Sequence, residues 1–302
     1  MAANDEKVPK AVVIIPNWNG MRFLPTCLSS LRRQTFTDFQ TLVVDNASQD
    51  GSGEMVEALF PQVRLEKSAS NLGYARGYNL AASLAEGRYL FLLNPDTIVR
   101  PGALETLVRY LEAHPRTAAA GPKLLNSDGS LQYSCRRFPS LSAGLFRNTP
   151  LGALVRGDRF SRSYLMAEWD HARPREVDWI SGAAICLRRE AWEEIGPFDE
   201  GYFMYCEDVD WCLRAWQAGW KIAYVPEAVV IHAIGRSSDL AARRMILEFH
   251  RSMVRFYHKH YAAAYPRLLR WLLPVGIRLR AGFLLLRHLL ASRRRASRAD
   301  RR

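Results

Sequence analysis

The stretch RYLFLLNPDTIV, residues 88–99, decides the fold that we predict for this chain. A short run of apolar and aromatic residues is followed at once by Asn94, Pro95 and Asp96. The run predicts a buried β-strand, and the tripeptide predicts a turn at its end. A turn alone would explain these residues. However, open α/β sheets also bind ligands at the carboxyl ends of their strands, so Asp96 is equally a candidate ligand-binding residue.

Strands and helices alternate in the first 120 residues. The other apolar runs of this part are AVVIIP (11–16), TLVVD (41–45) and VRLEK (63–67). Between the first two runs, one helical stripe is formed by Phe23, Leu24, Cys27, Leu28 and Leu31. This alternation predicts an α/β domain with a mostly parallel central sheet and flanking helices. The polar segments PNWN, DNAS and NPD should then meet at the carboxyl edge of the sheet.

The second half of the chain is less regular at first and helical at its end. Residues 126–177 have no strong period and predict an excursion from the sheet. A helix is predicted from about Glu207 to Ala218, followed by two short strands, KIAYV and AVVIH. From Asp239 onward, apolar residues recur at helical spacing. We therefore predict an α/β domain at 1–238 that contains the candidate site, and an Arg-rich helical extension at 239–302.

Composition limits the class of protein. With 302 residues and 48% hydrophobic content, the chain can bury a substantial core. The five cysteines form no CxxC pair, which indicates reduced thiols in a cytosolic protein, and the amino terminus lacks the apolar region of a secretory signal. We therefore predict a cytoplasmic location.

Most of the net charge belongs to the carboxyl-terminal segment. The chain carries +12, and residues 265–302 contain eleven Arg and one Asp, or +10. Leucine clusters alternate with these arginines, and no stretch reaches the roughly 18 uncharged apolar residues of a membrane span. The segment predicts either an amphipathic helix on an anionic membrane surface or a helix packed on the domain with a solvated basic end.

Polar residues at the first two strand ends could bind a nucleotide. Asp45 could accept the imide hydrogen of uracil or thymine, although an Asx turn with neighbouring residues would explain it as well. The neighbouring strand end offers polar groups to the same base at Pro16, Asn17 and Asn19. The segment NLGYARGYN (71–79) adds Asn71, Gly73 for close backbone approach and Arg76 for phosphate. Neither a Rossmann fingerprint nor a GxxxxGK[ST] motif occurs, which disfavours an NAD enzyme and a P-loop NTPase.

Acidic residues and a histidine could supply the chemistry. A nucleoside diphosphate would need a divalent cation, for which Asp96 offers one carboxylate and His232 a second ligand, unless His232 is structural. Glu207, Asp208 and Asp210 open the predicted helix of FMYCEDVDWCLRAWQAGW (203–220). Acids in a first turn are favoured by the helix dipole whatever their function. Their aromatic surroundings make spare charge costly, however, and a carboxylate held there could act as a general base.

Six motifs in order resemble a known family. They are VVIIPNWNG, VVDNASQDGS, NLGYARGYN, LLNPDT, WISGAAICLRREAWEEIGPFDEGYFMYCEDVDWCLRAWQAGW and VVIHAIGRSS. Together they resemble the inverting nucleotide-sugar glycosyltransferases of family 2, in particular the bacterial rhamnosyltransferases, over about residues 10–260. The resemblance implies a GT-A fold whose nucleotide-binding half spans about 10–125 and whose acceptor half spans about 126–238.

The resemblance also assigns roles to residues. It implies that Asp45 reads the base and that NPD stands at the metal-binding DxD motif, with Asp96 as the metal carboxylate. Asn94 replaces the first acid of that motif and would instead hydrogen-bond the ribose or the sugar. Asp208 corresponds to the catalytic base, with Glu207 as its neighbour. The remaining implied residues are His232 as a metal ligand, Arg236 and Ser237 in a phosphate-closing loop at 235–238, and Trp179, Ser181, Gly182 and Asp210 at the sugar and acceptor.

The implied reaction is a single displacement assisted by Mg²⁺ or Mn²⁺. The resemblance favours dTDP-rhamnose as donor, with UDP-hexoses and UDP-galactofuranose open, and a glycan or lipid-linked glycan as acceptor at the inner face of the cytoplasmic membrane. Two other classes remain at this point: a nucleotidyltransferase, and a basic membrane-surface binding protein without catalysis. Nucleic acid is disfavoured because the aromatic residues lie mostly outside the arginine-rich segment. The oligomeric state is not predicted.

Overall fold

The computed structural model describes residues 8–140, 159–233 and 242–299. Its strands are β1 (Ala11–Asn17), β2 (Phe39–Asp45), β3 (Arg64–Lys67), β4 (Tyr89–Leu93), β5 (Thr97–Val99), β6 (Thr117–Leu125), β7 (Leu131–Gln132), β8 (Cys135–Arg136), β9 (Arg175–Glu176), β10 (Trp179–Ile180), β11 (Ala184–Arg188) and β12 (Lys221–His232). Its α-helices are α1 (Leu24–Leu31), α2 (Ser52–Leu59), α3 (Gly73–Leu84), α4 (Ala103–Ala113), α5 (Arg159–Tyr164), α6 (Arg189–Ile195), α7 (Glu207–Gln217), α8 (Ala242–His260) and α9 (Arg267–Ala299). A short 3₁₀ helix, Ala262–Ala264, joins α8 to α9.

A large central sheet runs in the order β3-β2-β1-β4-β11-β6-β12-β5, with β7 and β9 paired at its side. The first four of these strands are mutually parallel, and β6 is parallel to β12. Along this order of described strands, only β11 and β5 run antiparallel to their neighbours. Strands β8 and β10 form a separate two-stranded sheet. The prediction of a mostly parallel sheet flanked by helices is confirmed.

Both faces of the sheet are covered at its central strands β1 and β4, which explains why these strands consist almost entirely of apolar residues. Along β1, Val12 and Ile14 pack with residues of α3 such as Tyr78 on one face. The alternate residue Val13 packs with residues of α1 such as Leu28 on the other face. A strand buried on both faces has no polar side to expose, so the period-two pattern of a half-buried strand is absent.

The direction of β11 decides where the later segments meet the earlier ones. Because β11 is antiparallel to β4, it begins at the edge of the sheet where β4 ends. The residues just before β11 therefore lie beside the residues just after β4, and the Asn94 N–H donates to the Ala183 carbonyl at 2.9 Å. At the same edge β5 begins opposite the end of β12, with Thr97 paired to His232.

One predicted element differs from the structure. The segments KIAYV and AVVIH form the single strand β12 rather than two short strands. The register against β6 changes between Val225 and Val229, which marks a bulge around Pro226. Proline cannot donate to a sheet, and a bulge accommodates it without ending the strand.

The carboxyl-terminal helices are attached to the body of the protein by charged groups. Lys259 and His260 of α8 contact the buried Asp210 of α7, and Arg255 and Lys259 contact Asp199. The predicted domain boundary at residue 238 falls outside the described residues, so the division at that point stays a prediction. Among the helices that are described, none combines the length and the apolar character that crossing a bilayer requires.

Candidate active site

A cavity of about 580 Å³ opens at the carboxyl edge of the sheet. Many of the residues singled out from the sequence line it: Pro16, Asn71, Gly73, Asn94, Asp96, Trp179, Ser181, Gly182, Glu207, Asp208 and His232. These residues come from segments far apart in the sequence, between residues 16 and 232, and the sheet topology brings them to one place. The cavity is therefore the candidate active site.

Asp96 and His232 form a pair on one wall of the cavity. Asp96 Oδ1 lies 3.3 Å from His232 Nε2, and both side chains are largely buried. The other ring nitrogen, Nδ1, lies 2.7 Å from Gln132 Oε1, and an amide oxygen can only accept. The Gln132 amide is itself fixed because its Nε2 donates to Asn126 Oδ1 and to the His232 carbonyl. His232 therefore donates from Nδ1, and this contact fixes the orientation of the ring, with Nε2 toward Asp96.

This pair fits a hard divalent cation. Two adjacent ligands of an octahedral Mg²⁺ with bonds of about 2.1 Å lie about 3.0 Å apart, close to the separation seen here. Within the described residues, no group of three or more His, Cys, Asp or Glu could hold a metal. Mg²⁺ is commonly held by one or two protein groups together with substrate phosphates and water. Asp96 and His232 therefore suit a cation that arrives with a diphosphate.

Asn94 stands between this pair and a tyrosine. The Tyr74 hydroxyl lies 2.6 Å from Asn94 Oδ1 and also contacts the Gly182 carbonyl, while Asn94 Nδ2 lies 3.4 Å from His232 Nε2. Burial raises the pKa of Tyr74 well above its ordinary value, so its hydroxyl keeps the proton. Asn94 is thus a neutral amide that its neighbours hold in place beside the Asp96–His232 pair.

Glu207 and Asp208, at the start of α7, also line the cavity. Asp208 Oδ2 accepts the Gly182 N–H at 3.0 Å, and its Oδ1 accepts the Val209 N–H at 2.8 Å. Burial raises the pKa of Asp208, although these two hydrogen bonds and the charge of Arg136 oppose that increase. The two backbone N–H groups favour the carboxylate form of Asp208, because hydrogen bonds from donors stabilise negative charge.

Glu207 has a different environment. Its side chain is buried, and Oε2 has no hydrogen-bond partner among the residues that the structure describes. Burial and the adjacent Asp208 raise the pKa of Glu207 well above its ordinary value. The surroundings of Glu207 therefore favour the neutral acid more strongly than the surroundings of Asp208 do.

The turn before α7 has an unusual backbone. Tyr205 and Cys206 both have positive φ, 69° and 67°, which is uncommon for residues other than glycine. The segment is tied on both sides: the Phe203 carbonyl accepts the Tyr74 N–H at 2.7 Å, and the Met204 carbonyl accepts the Ser252 hydroxyl at 2.8 Å. Non-glycine residues of this kind persist only where surrounding contacts hold them, and they cluster at functional sites.

Several predicted site residues lie at the edge but not on the cavity wall. Asn17 is fully buried, and its Nδ2 lies 3.2 Å from Asp45 Oδ1 and 2.8 Å from Ser52 Oγ, so it links β1 to β2 and α2. Asn19 is exposed and accepts the Gln49 N–H at 2.8 Å. The predicted contacts of Asn17, Asn19 and Asp45 with a base stay predictions.

Two further predicted site residues lie away from the cavity wall. Arg76 lies on the exposed side of α3, where its Nε is 3.3 Å from Glu200, outside the cavity. Asp210 does not reach the cavity either, since its carboxylate is fully buried between Arg214 and the α8 residues Lys259 and His260. In a helix, residues two apart point in different directions, so Asp208 and Asp210 cannot share one site. Arg236 and Ser237 lie outside the described residues.

The sequence did not indicate some residues of the cavity. Tyr74 and Gln132 were missed, as was Arg136, whose guanidinium lies 5.0 Å from the centre of the Trp179 ring. One wall is apolar and comes largely from α8, with Met245, Phe249 and Met253 beside Phe203 and Met204. The helical spacing of apolar residues beyond Asp239 includes Phe249 and Met253, but such spacing indicates residues that pack rather than residues that line a site. Arg136 falls in a segment without any period, where only a tertiary structure could place it.

Comparisons with known proteins define the class. A mannosyltransferase from Pyrobaculum calidifontis, solved in complex with GDP-Man and Mn²⁺, superposes with a TM-score of 0.57 at 18% identity, over 97% of this chain and 76% of that chain. The fold is that of the GT-A glycosyltransferases. The predicted GT-A architecture is confirmed.

The sequence comparisons give the family. The family model of glycosyl transferase family 2 matches residues 12–179. The N-acetylglucosaminyl-diphospho-decaprenol L-rhamnosyltransferase of Mycobacterium tuberculosis is 32% identical over 89% of this chain and 90% of its own length. Rhamnosyltransferase WbbL of Escherichia coli K12 is 30% identical over 53% of this chain and 60% of its own length.

The chain belongs to glycosyl transferase family 2, and it is a glycosyltransferase. This assignment excludes the two alternatives, a nucleotidyltransferase and a membrane-surface binding protein without catalysis.

Proposed function

We propose that this enzyme transfers L-rhamnose from dTDP-rhamnose, with inversion, to a hydroxyl of a glycan or lipid-linked glycan. The observation that carries the proposal is one cavity lined both by Asp208 and by the Asp96–His232 pair. The names of the Mycobacterium tuberculosis and Escherichia coli relatives support rhamnose as the sugar, and the name of the first supports an acceptor on a diphosphate-linked lipid. We also propose that the enzyme works in the cytoplasm, at the membrane that would carry such an acceptor.

Asp208 is the general base in this proposal. Its carboxylate takes the proton of the acceptor hydroxyl as that oxygen forms a bond to the anomeric carbon. The bond from that carbon to the diphosphate breaks, and its electron pair stays on the diphosphate oxygen. The Gly182 N–H holds Asp208 Oδ2 in position, and Glu207 remains protonated, so only one negative charge faces the acceptor. Because attack and departure occur on opposite sides of the sugar, the product is inverted and no covalent enzyme intermediate forms.

Asp96 and His232 would hold Mg²⁺ or Mn²⁺. When bound, the cation supplies positive charge that stabilises the leaving diphosphate. Gln132 keeps the imidazole in the tautomer that presents Nε2, and Tyr74 keeps Asn94 beside the pair. Asn94 would donate from its amide to a hydroxyl of the ribose or the sugar, which an ionised acid at this position could not do.

The nucleotide would lie along the ends of β1 and β2. Asp45 is nearly buried there, and Asn17 Nδ2 contacts its Oδ1. An Asp carboxylate accepts the imide N–H that uracil and thymine share, so Asp45 is compatible with dTDP and UDP donors alike. UDP-hexoses and UDP-galactofuranose are therefore the second donor candidates.

Calorimetric titration tests the donor. The purified protein is titrated with dTDP-rhamnose, UDP-glucose and UDP-galactofuranose, each with Mg²⁺ and with a chelator. We expect binding of dTDP-rhamnose that is lost with the chelator, since the diphosphate contacts depend on the cation. If the protein binds one of the UDP-sugars and does not bind dTDP-rhamnose, that UDP-sugar becomes the proposed donor. The anomeric configuration of the product, read by NMR, tests inversion: a retained configuration would exclude the single displacement.

A further inference from the structure

Helix α9 exposes a long apolar face to solvent. Its members, which we call the outer stripe, are Leu268, Trp271, Leu272, Val275, Leu279, Phe283, Leu286 and Leu290, and they are 48–79% exposed. At 100° per residue these positions fall within an arc of about 120°. An α-helix of 33 residues is about 50 Å long. Exposed apolar residues scattered singly are ordinary, but an aligned stripe of this length marks an interaction surface.

The outer stripe is separate from the face that holds α9 on the protein. Leu273, Ile277, Leu284 and Leu285 are partly buried and Ala281 is buried, and α9 packs against α8. These residues recur at the same helical period, but on the other side of the helix. The fold therefore uses one apolar face of α9 and leaves the second one for a partner.

Charge identifies the kind of partner. Residues 267–299 contain no Asp or Glu, while Arg278 and Arg287 are exposed on opposite margins of the outer stripe. An apolar stripe with cations on both margins complements the acyl chains and the headgroups of an anionic bilayer. Pairing with a second copy of the same stripe would instead bring arginines against arginines, because such an interface uses the same surface twice.

The position of α9 relative to the cavity gives the contact a function. Arg280 of α9 lines the cavity, next to the apolar wall formed by Phe249 and Met253 of α8. A surface that receives the outer stripe would thus lie near the acceptor side of the cavity.

We propose that the outer stripe of α9 docks on an anionic lipid bilayer, with the helix lying in the plane of the interface. The arginines contact the lipid headgroups, and the apolar side chains enter the boundary of the acyl chains. The proposal names the surface through which the enzyme meets the membrane, and it rests on the proposed function only for the view that a lipid-linked acceptor is then within reach. Vesicle binding itself requires neither donor nor acceptor.

Vesicle flotation with the full-length protein tests the proposal. Vesicles of phosphatidylcholine alone are compared with vesicles that contain phosphatidylglycerol, at low and at high salt. We expect binding to the anionic vesicles that weakens as salt increases. The double variant W271S/L279S should bind about tenfold more weakly or worse, because two apolar side chains no longer enter the interface. R278Q/R287Q should also lose about tenfold, selectively on anionic vesicles.

The matched control is V8S/L59S, which replaces two exposed apolar residues elsewhere on the surface, 58% and 60% exposed. This control should float like the parent protein. Failure of the parent protein to bind anionic vesicles, or equal losses in W271S/L279S and in the control, would overturn the proposal. The proposal would also be overturned if light scattering showed that the parent protein is a dimer and W271S/L279S is a monomer, since the outer stripe would then be an interface between copies. Sugar transfer to a soluble acceptor by W271S/L279S separates this outcome from a failure of the proposed reaction.

Discussion

At the scale of single residues, two adjacent carboxyl groups differ in the hydrogen bonds that they accept. Asp208 accepts two backbone N–H groups, and Glu207 Oε2 accepts none from the described part of the chain. Backbone donors stabilise a carboxylate, whereas burial without a donor favours the neutral acid. Pairs of acids whose surroundings drive their pKa values apart are a common means of assigning acid and base roles. This contrast is the reason for proposing Asp208 as the base.

The substitution Asp208→Asn tests this assignment. The amide keeps the shape of the side chain but cannot take a proton, so kcat should fall by about 10² to 10⁴. Donor binding should change little, because the donor diphosphate would lie at the Asp96–His232 pair. Initial rates and calorimetric donor titration measure the two effects. The control is Asp128→Asn, in an exposed turn. Near-normal turnover of Asp208→Asn would transfer the role of base to Glu207.

Arg136 should influence the pH dependence of the reaction. Its charge lowers the pKa of Asp208, against the effect of burial, which leaves that pKa above its ordinary value of 3.8. A base works only when deprotonated, so kcat/KM should decline as pH falls through this pKa. In Arg136→Gln the carboxylate loses a favourable charge, its pKa rises further, and the acid limb of the profile should move to higher pH. A limb that stays in place or moves to lower pH would contradict the role of Arg136.

Gln132 should control the affinity for the cation. Gln132→Leu removes the acceptor of the His232 Nδ1 proton, so the imidazole can turn or change tautomer. We expect the Mn²⁺ concentration for half-maximal activity to rise by about 10- to 100-fold, the usual effect of losing such a partner. Gln62→Leu, at an exposed position, is the control. An unchanged Mn²⁺ requirement would mean that His232 does not bind the cation.

At the scale of elements, the start of α3 and the turn before α7 depend on each other. Gly73 has φ +78°, and a Cβ there would lie 2.5 Å from the Phe203 carbonyl oxygen. The same carbonyl accepts the Tyr74 N–H. A side chain at residue 73 would therefore push apart two segments that line the cavity, which explains the glycine of NLGYARGYN by close approach as well as by conformation.

Gly73→Ala should lower the free energy of unfolding by about 1–3 kcal/mol, through a left-handed backbone and a steric clash. Urea denaturation measures this change. Gly282→Ala serves as the control, because a Cβ at this position of α9 meets no atom of the described residues within 4 Å. Alanine is the better helix former, so the control should be neutral or stabilising. Equal stability of the two variants would show that the contact with Phe203 adapts without cost.

At the scale of the whole molecule, ion pairs between α8 and the body should make stability depend on pH. Hydrogen bonds and charges from Arg255, Lys259 and His260 lower the pKa values of Asp199 and Asp210 against the effect of burial. A carboxyl whose pKa is lowered by folding stabilises the protein above its unfolded pKa of about 4, and loses that contribution as pH falls. Thermal melting temperatures should therefore decrease steeply below about pH 4. In Asp199→Asn this decrease should be smaller, and an unchanged acid dependence would contradict the role of the ion pairs.

Much of the fold was determined by the sequence. The apolar runs of β1, β2 and β4 and the stripe of α1 require a buried parallel sheet with helices on it, since these local patterns agree with one another. The ends of these strands carry polar residues, and this pattern is enough to predict Asp96 at the binding edge. Where a local signal was ambiguous, as at Pro226 within β12, the boundary was wrong because pairing with β6 continues past the bulge.

The tertiary structure alone decided which polar residues share a cavity. The antiparallel direction of β11 puts the Gly182 N–H on Asp208, and the pairing of β12 with β5 puts His232 beside Asp96. Such contacts join segments far apart in the chain, so no local pattern encodes them. The sequence could not distinguish the roles of Asp208 and Asp210 for the same reason, since both are acids in one helical turn. Only the packing of α8 against α7 shows that Asp210 pairs with Lys259 and His260, while Asp208 faces the cavity.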